Sequence, residues 1–95
     1  MDANITLIGL PNDRQDALTR GGVAVSTRHG NAVRRNRLKR LCREGLRLTR
    51  SELPPSWDFM VLPRYGVELT LEGVRESLVR LAWRMAGRGG EGLGR

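Results

Sequence analysis

The sequence predicts a small α+β fold, a two-layer sandwich in which two helices cover a sheet of three or four strands. Three observations support this prediction: short β-branched and aliphatic runs in separate parts of the chain, one long proline-free segment of helix-forming residues, and a second segment with apolar residues at helical spacing. The order strand–strand–helix–strand–helix lets both helices pack on one sheet. A chain of 95 residues, 39% of them apolar, suits a single domain, which we place at residues 1–86.

Two strands are expected in the first third of the chain. Residues 4–10 are β-branched and aliphatic, and Pro11 with the polar residues after it ends the run. Residues 14–18 are polar and indicate a loop or turn. Residues 22–26 then predict a second strand, in which Val23 and Val25 lie on one side because side chains alternate along a strand.

The segment of residues 28–50 is predicted to be a strongly basic helix. It holds nine of the 17 Lys and Arg residues and one acid, Glu44, so it carries a net charge of +8 while the remaining 72 residues carry −1. No proline interrupts residues 31–50, and Leu, Arg, Lys and Ala favour helices. Asn31 follows Gly30 and suits the N-cap, because its side-chain oxygen can accept a free N–H of the first turn.

The basic helix has two faces. At 100° per residue the packing face contains Leu38, Leu41, Cys42, Gly45, Leu46 and Leu48. The other face contains Asn36, Arg37, Lys39, Arg40, Arg43, Arg47 and Arg50. Guanidinium groups bind phosphate in a bidentate manner, so we interpret this face as a nucleic-acid surface. The alternatives are a solvated charged face, an anionic membrane surface, and a partner protein that binds basic amphipathic helices.

A third strand and a final helix follow. Pro54 and Pro55 end the basic helix, and residues 57–62 predict a strand that is apolar on both faces and therefore central. Thr70 suits the N-cap of the last helix. That helix carries an apolar stripe, which Trp83 is expected to extend: Leu71, Val74, Leu78, Leu81, Ala82 and Met85. Residues 87–95 contain five glycines and predict a disordered tail.

The composition excludes several kinds of site. The single cysteine, Cys42, excludes an internal disulfide and a cysteine-based zinc site, and its position on the packing face indicates a buried side chain. The single histidine, His29, suits a loop position near phosphate better than a catalytic or metal-binding role. No catalytic constellation and no metal-ligand pattern is present in the sequence. Neither a signal peptide nor a membrane-spanning run occurs, so we expect a cytoplasmic protein.

Three runs resemble a known family: RGGVAVS at 20–26, GNAVRRNRLKR at 30–40, and Arg43-Glu44. They are similar to the signature of the protein subunit of bacterial ribonuclease P, a strand ending in Val-Ser with basic residues followed by G-N-A-V-x-R-N-R-x-K-R. The residues at 57–64 and the last helix also resemble that family. Its members carry an N-terminal helix with aromatic residues before the first strand, which this sequence lacks. Either the start has been placed too late or this version has no such helix.

The resemblance implies a function, a site and a fold detail. The implied function is to bind the catalytic RNA and precursor tRNA and to assist removal of the 5′ leader, with catalysis and Mg²⁺ belonging to the RNA and no cofactor on the protein. The implied crossover of the strand–helix–strand unit is left-handed, against the usual hand. We expect the open face of the sheet, with Val23 and Val25, to offer a floor for the single-stranded leader. The alternative is a general RNA- or DNA-binding module derived from the family. The RNA-binding residues that we predict are Arg28, Asn31, Arg34, Arg35, Asn36, Arg37, Lys39, Arg40 and Arg43.

Overall fold

The computed structural model describes residues 2–12 and 19–94, and the side chains as far as Gly87. Its strands and long helices are β1 (Ile5–Pro11), β2 (Arg20–Val23), α1 (Ala32–Thr49), β3 (Trp57–Pro63) and α2 (Leu71–Gly94). Single 3-10 turns at Thr27–His29 and Arg50–Glu52 flank α1. This arrangement confirms the predicted α+β class. The predicted loop at 14–18 lies outside the described residues.

The three strands form one sheet in the order β1-β3-β2, so β3 is central as predicted. β1 is antiparallel to β3, with Ile5 opposite Pro63 and Pro11 opposite Trp57. β2 is parallel to β3, and α1 connects the two strands. The unit β2–α1–β3 is therefore the expected βαβ unit. Its left-handed crossover stays a prediction from the resemblance.

The second strand differs from its prediction in both position and orientation. It runs from Arg20 to Val23 instead of covering 22–26. Beyond it Ala24 still donates its N–H to Val61 O at 3.0 Å, but Ser26 then caps the 3-10 turn and takes the chain away from the sheet. Val23 is paired with Val61 and packs against the hydrophobic core, so it does not lie on the open face of the sheet.

Both helices pack on the face of the sheet opposite the open face, and together with the strands they enclose one aliphatic core. From the strands the core takes Ile5, Leu7, Phe59 and Val61, and from the helices Cys42, Leu46, Val74, Leu78, Leu81 and Ala82. The open face carries Ile8, Leu10 and Met60, which are 52%, 69% and 40% exposed. The sheet therefore has one covered and one uncovered apolar face.

The packing face of α1 is narrower than the sequence predicts. Cys42, Gly45 and Leu46 are buried, whereas the other three predicted members are half-buried. Burial raises the pKa of the Cys42 thiol to about 11, which keeps it protonated and unreactive, as a small apolar side chain. Thr49 is buried beside them although it is polar, because its hydroxyl donates to Gly45 O at 2.8 Å within the helix.

The structure confirms the predicted N-cap of α2 and most of its predicted apolar stripe. Thr70 Oγ1 accepts the N–H of Gly73 at 3.0 Å, as an N-cap side chain does. Trp83 is the exception: it is 49% exposed, and its Nε1 donates to Glu52 O at 2.6 Å instead of entering the core. α2 extends to Gly94 and so overlaps the segment 87–95, whose disorder stays a prediction, as does the domain boundary at residue 86.

Asp2 joins the start of β1 to α2. Its carboxylate accepts the N–H of Asn4 at 2.8 Å and of Ile5 at 3.0 Å, and it pairs with Arg80. Burial alone raises the pKa of this carboxyl, but hydrogen bonds from Ser77, from the two N–H groups and from Arg80 outweigh it and lower the pKa to about 2. The ionised carboxylate therefore stabilises the folded state.

Replacing Asp2 with Asn should make the stability difference from the parent protein depend on pH. A lowered pKa contributes stability that is complete above the unfolded value of 3.8 and is lost as the pH falls through about 2. We expect the variant to have a free energy of unfolding lower by about 1–2 kcal/mol at pH 7, since the carboxylate lies near the surface. Urea unfolding at pH 7, 4 and 2.5 measures it. A difference that stays constant over this range would contradict the assignment.

Replacing Gly45 with Ala should destabilise the contact between the two helices. A Cβ at this position would lie 2.6 Å from Val74 Cγ1, so the helices must separate. Overpacking of a core commonly costs about 1–3 kcal/mol, which exceeds the gain of roughly 1 kcal/mol from replacing a helical glycine. Denaturant unfolding should show a net loss. In a Val74→Ala background, which lacks the close contact, Gly45→Ala should cost less than it does in the parent protein.

Gly87→Ala is the matched control for Gly45→Ala, because both variants replace a glycine within a helix. A Cβ there meets nothing within 4 Å, so only the helix propensity changes and stability should rise slightly. If both alanine variants changed stability in the same direction, the close contact at Gly45 would not be the cause.

Candidate nucleic-acid interface

The start of α1 is fixed by its own backbone and cap. Asn31 Oδ1 accepts the N–H of Arg34 at 2.9 Å, which confirms the predicted N-cap. Gly30 before it has φ 114°, a left-handed conformation that favours glycine. The Arg34 side chain folds back over this glycine, since a Cβ on Gly30 would lie 2.8 Å from Arg34 Cδ. The positive φ therefore requires glycine here, and the exposed Arg34 side chain would have to move if a Cβ were present.

His29 holds the 3-10 turn against the end of β3. Its Nδ1 accepts the N–H of Ser26 at 3.0 Å, so Nε2 carries the proton and donates to Pro63 O at 2.7 Å. The side chain is buried, and both ring nitrogens are occupied. His29 is thus a structural residue that positions its neighbours, and its expected position near phosphate stays a prediction.

Arg28 lies beside an aromatic ring that the sequence analysis did not single out. Its guanidinium carbon is 4.8 Å from the centroid of Tyr65, within the range of a cation–π interaction. The ring of Tyr65 also contacts His29, with centroids 4.4 Å apart, and its hydroxyl lies 3.2 Å from Ser26 Oγ. Tyr65 is 51% exposed. An aromatic residue following an arginine directly after a central strand was the available signal.

The predicted RNA-binding residues fall into two groups on α1 and its approach. One group borders a groove between the start of the helix and residues 64–69: Arg28, Asn31, Arg34 and Arg37. The second group lines a depression of about 320 Å³ one turn further along α1, where Glu44 and Arg47 also lie. Its members are Asn36, Lys39, Arg40 and Arg43. Arg37 of the first group and Arg40 of the second are three residues apart on α1 and therefore lie side by side, so the surface is continuous.

Arg35 stands apart from both groups. It is half-buried, and its Nε is buried without a hydrogen-bond partner among the described residues. Helical spacing places it on the side of α1 that leads towards the packing face. Its guanidinium therefore reaches solvent only in part, and substitution of Arg35 is expected to disturb packing as well as charge.

The positive charge of this surface is not neutralised within the described part of the chain. There the ion pairs are Arg20–Asp58, Arg47–Glu44 and Arg80–Asp2, and none includes a predicted RNA-binding residue. Arg47 engages the only acid of the helix through two hydrogen bonds, which lower the pKa of Glu44 and raise that of Arg47. The other cations of α1 are left to meet an external anion.

The side chains of this surface are suited to binding phosphate. Guanidinium, ammonium and carboxamide groups donate hydrogen bonds to phosphate oxygens. Within the described residues no three His, Cys, Asp or Glu side chains come close enough together to hold a metal ion. None of the described helices is long and apolar enough to cross a membrane.

Comparison with known proteins agrees with the resemblance seen in the sequence. The family model for ribonuclease P matches residues 1–86. The ribonuclease P protein component of Brevibacillus brevis is 44% identical over 69 residues, which are 72% of this chain and 55% of that protein. That of Photorhabdus laumondii is 44% identical over 82 residues, 84% of this chain and 66% of that protein. The chain therefore spans between half and two thirds of the length of these relatives.

The fold is also similar to that of a solved ribonuclease P protein. The RNase P protein from Thermotoga maritima superposes with a TM-score of 0.77 at 29% identity, over 88% of this chain and 79% of that one. The family model covers nearly the whole chain, and the three-stranded sheet with two helices matches a solved member. The chain belongs to the ribonuclease P protein family.

Proposed function

We propose that this chain is the protein component of a ribonuclease P, which binds the catalytic RNA and precursor tRNA and assists removal of the 5′ leader. The observation that carries the proposal is the continuous cationic surface of α1, whose predicted RNA-binding residues have no carboxylate partner in the described part of the chain. Phosphate contacts position a protein on RNA, and a concentrated basic surface supplies them. We place this activity in the cytoplasm.

Different residues serve the two RNA partners in this proposal. Following the family resemblance, Arg35, Asn36 and Arg37 dock on the catalytic RNA. Lys39 and Arg43 flank the cleft that receives the leader. Both residues line the same depression on α1 as Asn36. The exposed positions of Asn36 and Arg37 suit this role, whereas the half-buried Arg35 contributes through part of its guanidinium only.

The open face of the sheet is the proposed floor for the single-stranded leader. The sequence assigned that floor to Val23 and Val25, but Val23 packs against the core. The exposed apolar side chains of Ile8, Leu10 and Met60 lie there instead. Aliphatic side chains contact any base without selecting one, so such a floor is tolerant of sequence.

The RNA supplies the chemistry in this proposal. The cationic surface consists of Arg, Lys and Asn side chains, while Mg²⁺ prefers carboxylate, carbonyl and water oxygens. The surface therefore does not fit a catalytic Mg²⁺, and we assign that ion to the RNA subunit. The protein contributes charge and shape that hold the two RNA molecules together.

Reconstituted cleavage tests this function directly. The protein should increase the rate of 5′ leader removal from precursor tRNA by the RNA subunit of the same organism at low Mg²⁺, where phosphate repulsion between the two RNA molecules is least screened. Gel analysis of the cleaved leader measures the rate. Binding of the RNA without faster cleavage would favour a general nucleic-acid-binding module. Equal affinity for anionic vesicles would favour a membrane surface.

Replacing Arg37 and Arg40 together with Ala should weaken RNA binding and reduce its salt dependence. Each lost phosphate contact lowers the slope of log K against log salt by about 0.7–0.9 in magnitude, so the double variant should lose roughly 1.4–1.8. Both side chains are exposed, so the thermal midpoint should stay unchanged. A filter-binding titration between low and moderate salt measures both quantities.

Arg84→Ala is the matched control, because Arg84 is an exposed arginine on α2, outside the proposed surface. It should leave the affinity and the slope as they are in the parent protein. If Arg84→Ala, which removes one charge, lowered the slope by half as much as the loss of Arg37 and Arg40 together, net charge and not the surface of α1 would determine binding.

A further inference from the structure

A groove of about 680 Å³ lies between the start of α1 and residues 64–69. Its rim carries exposed arginines, among them Arg28, Arg34 and Arg37. Its floor is apolar and half-buried, with Leu38, Leu41 and Val67. A surface that met only phosphates would have no need of this apolar floor, and phosphate charge does not explain it.

The two walls of the groove are held together by contacts that cross between them. His29 Nε2 donates to Pro63 O at 2.7 Å, and Arg28 lies over the ring of Tyr65. The far wall is anchored in turn, because Arg64 donates its N–H to Asn4 O at 3.1 Å and its side chain to Asp2 O at 3.0 Å. The groove is therefore preformed, which reduces the entropy lost when a ligand enters.

We propose that this groove seats one unstacked nucleobase of the RNA subunit, with the flanking phosphates on the arginine rim. The inference rests on the proposed function. RNA is read mainly at unpaired nucleotides, whose bases pack against apolar or aromatic side chains and against guanidinium planes. The groove has room for a nucleotide and combines these elements. Arg37 belongs to its rim and lies beside Arg40 of the second group, so RNA docked on α1 reaches the groove without a gap.

Glu68 adds a means of selecting the base. It is exposed and is the one carboxylate that lines the groove in the described part of the chain. A carboxylate accepts hydrogen bonds, so it favours a base edge with amino or imino donors and disfavours one with acceptors alone. An acidic peptide, by contrast, would be repelled at this edge of the groove.

The test is a comparison of Val67→Asn with Val79→Asn. Val67 is half-buried in the groove and outside the hydrophobic core. Val79 is half-buried on α2, away from the groove, from the cationic surface and from the open face of the sheet. Val67→Asn should weaken binding of the isolated RNA subunit by about 5- to 30-fold, the size expected for a lost base contact, without changing the salt slope. Val79→Asn should change neither. Val67→Thr replaces it if Val67→Asn lowers the thermal midpoint.

Chemical footprinting of the RNA subunit gives a second measurement. One unpaired nucleotide should be protected at its base by the parent protein and by Val79→Asn, and should become reactive again with Val67→Asn.

Several results would overturn the inference. Unchanged affinity and footprint with Val67→Asn, together with weakened binding by the variant lacking Arg37 and Arg40, would overturn it and leave the proposed function intact. A reduced salt slope with Val67→Asn would mean that the groove binds phosphates only. Competition by an acidic tyrosine-containing peptide that Val67→Asn abolishes would assign the groove to a protein partner. If the variant lacking Arg37 and Arg40 bound RNA normally, the proposed function itself would fail.

Discussion

The structure depends on the close contact that one uncharged strip of α1 makes with α2. Gly45 lets Val74 approach so near that a single added carbon would lie 2.6 Å from it, and Cys42 and Leu46 continue the strip on either side. Dispersion forces act only at contact distance, so this strip decides whether a helix with six excess positive charges can be attached to the rest of the protein. Once it is attached, the opposite face of α1 has no buried surroundings to satisfy and can remain cationic.

A second constraint sets the direction in which the cations point. Hydrogen bonds made by Ser26, His29 and Asn31 fix the chain where it leaves β2 and enters α1. Two long-range hydrogen bonds, from His29 to Pro63 O and between the hydroxyls of Ser26 and Tyr65, tie the helix start to the end of the central strand and the turn after it. Arg28 and Arg34 therefore have defined positions although they are exposed. The site is preorganised by neutral side chains, of which Asn31 alone also belongs to the predicted RNA-binding residues.

The fold class, the cap at Asn31 and the central strand could be predicted because they depend on local pattern and residue type. The orientation of β2 could not, because a shift of the strand to 20–23 depends on where Ser26 begins the next turn. Trp83 was assigned to the core from spacing, yet a hydrogen bond to Glu52 O holds it at the surface. Tyr65 joins the candidate site through a contact with Arg28, 37 positions earlier in the chain, which no local pattern contains.

The positive charge of α1 affects the stability of the folded protein. Glu44 is the only acid on α1, and Arg47 already engages it, so the remaining cations of the helix repel one another in the free protein. The packing strip must overcome that repulsion through contacts that carry no charge. A polyanion that binds the cationic face removes the repulsion and binds only the folded state, so it stabilises the fold by linkage. The same arginines that weaken the free protein thus bring it additional stability once it is bound to RNA, which explains why a thin aliphatic core suffices.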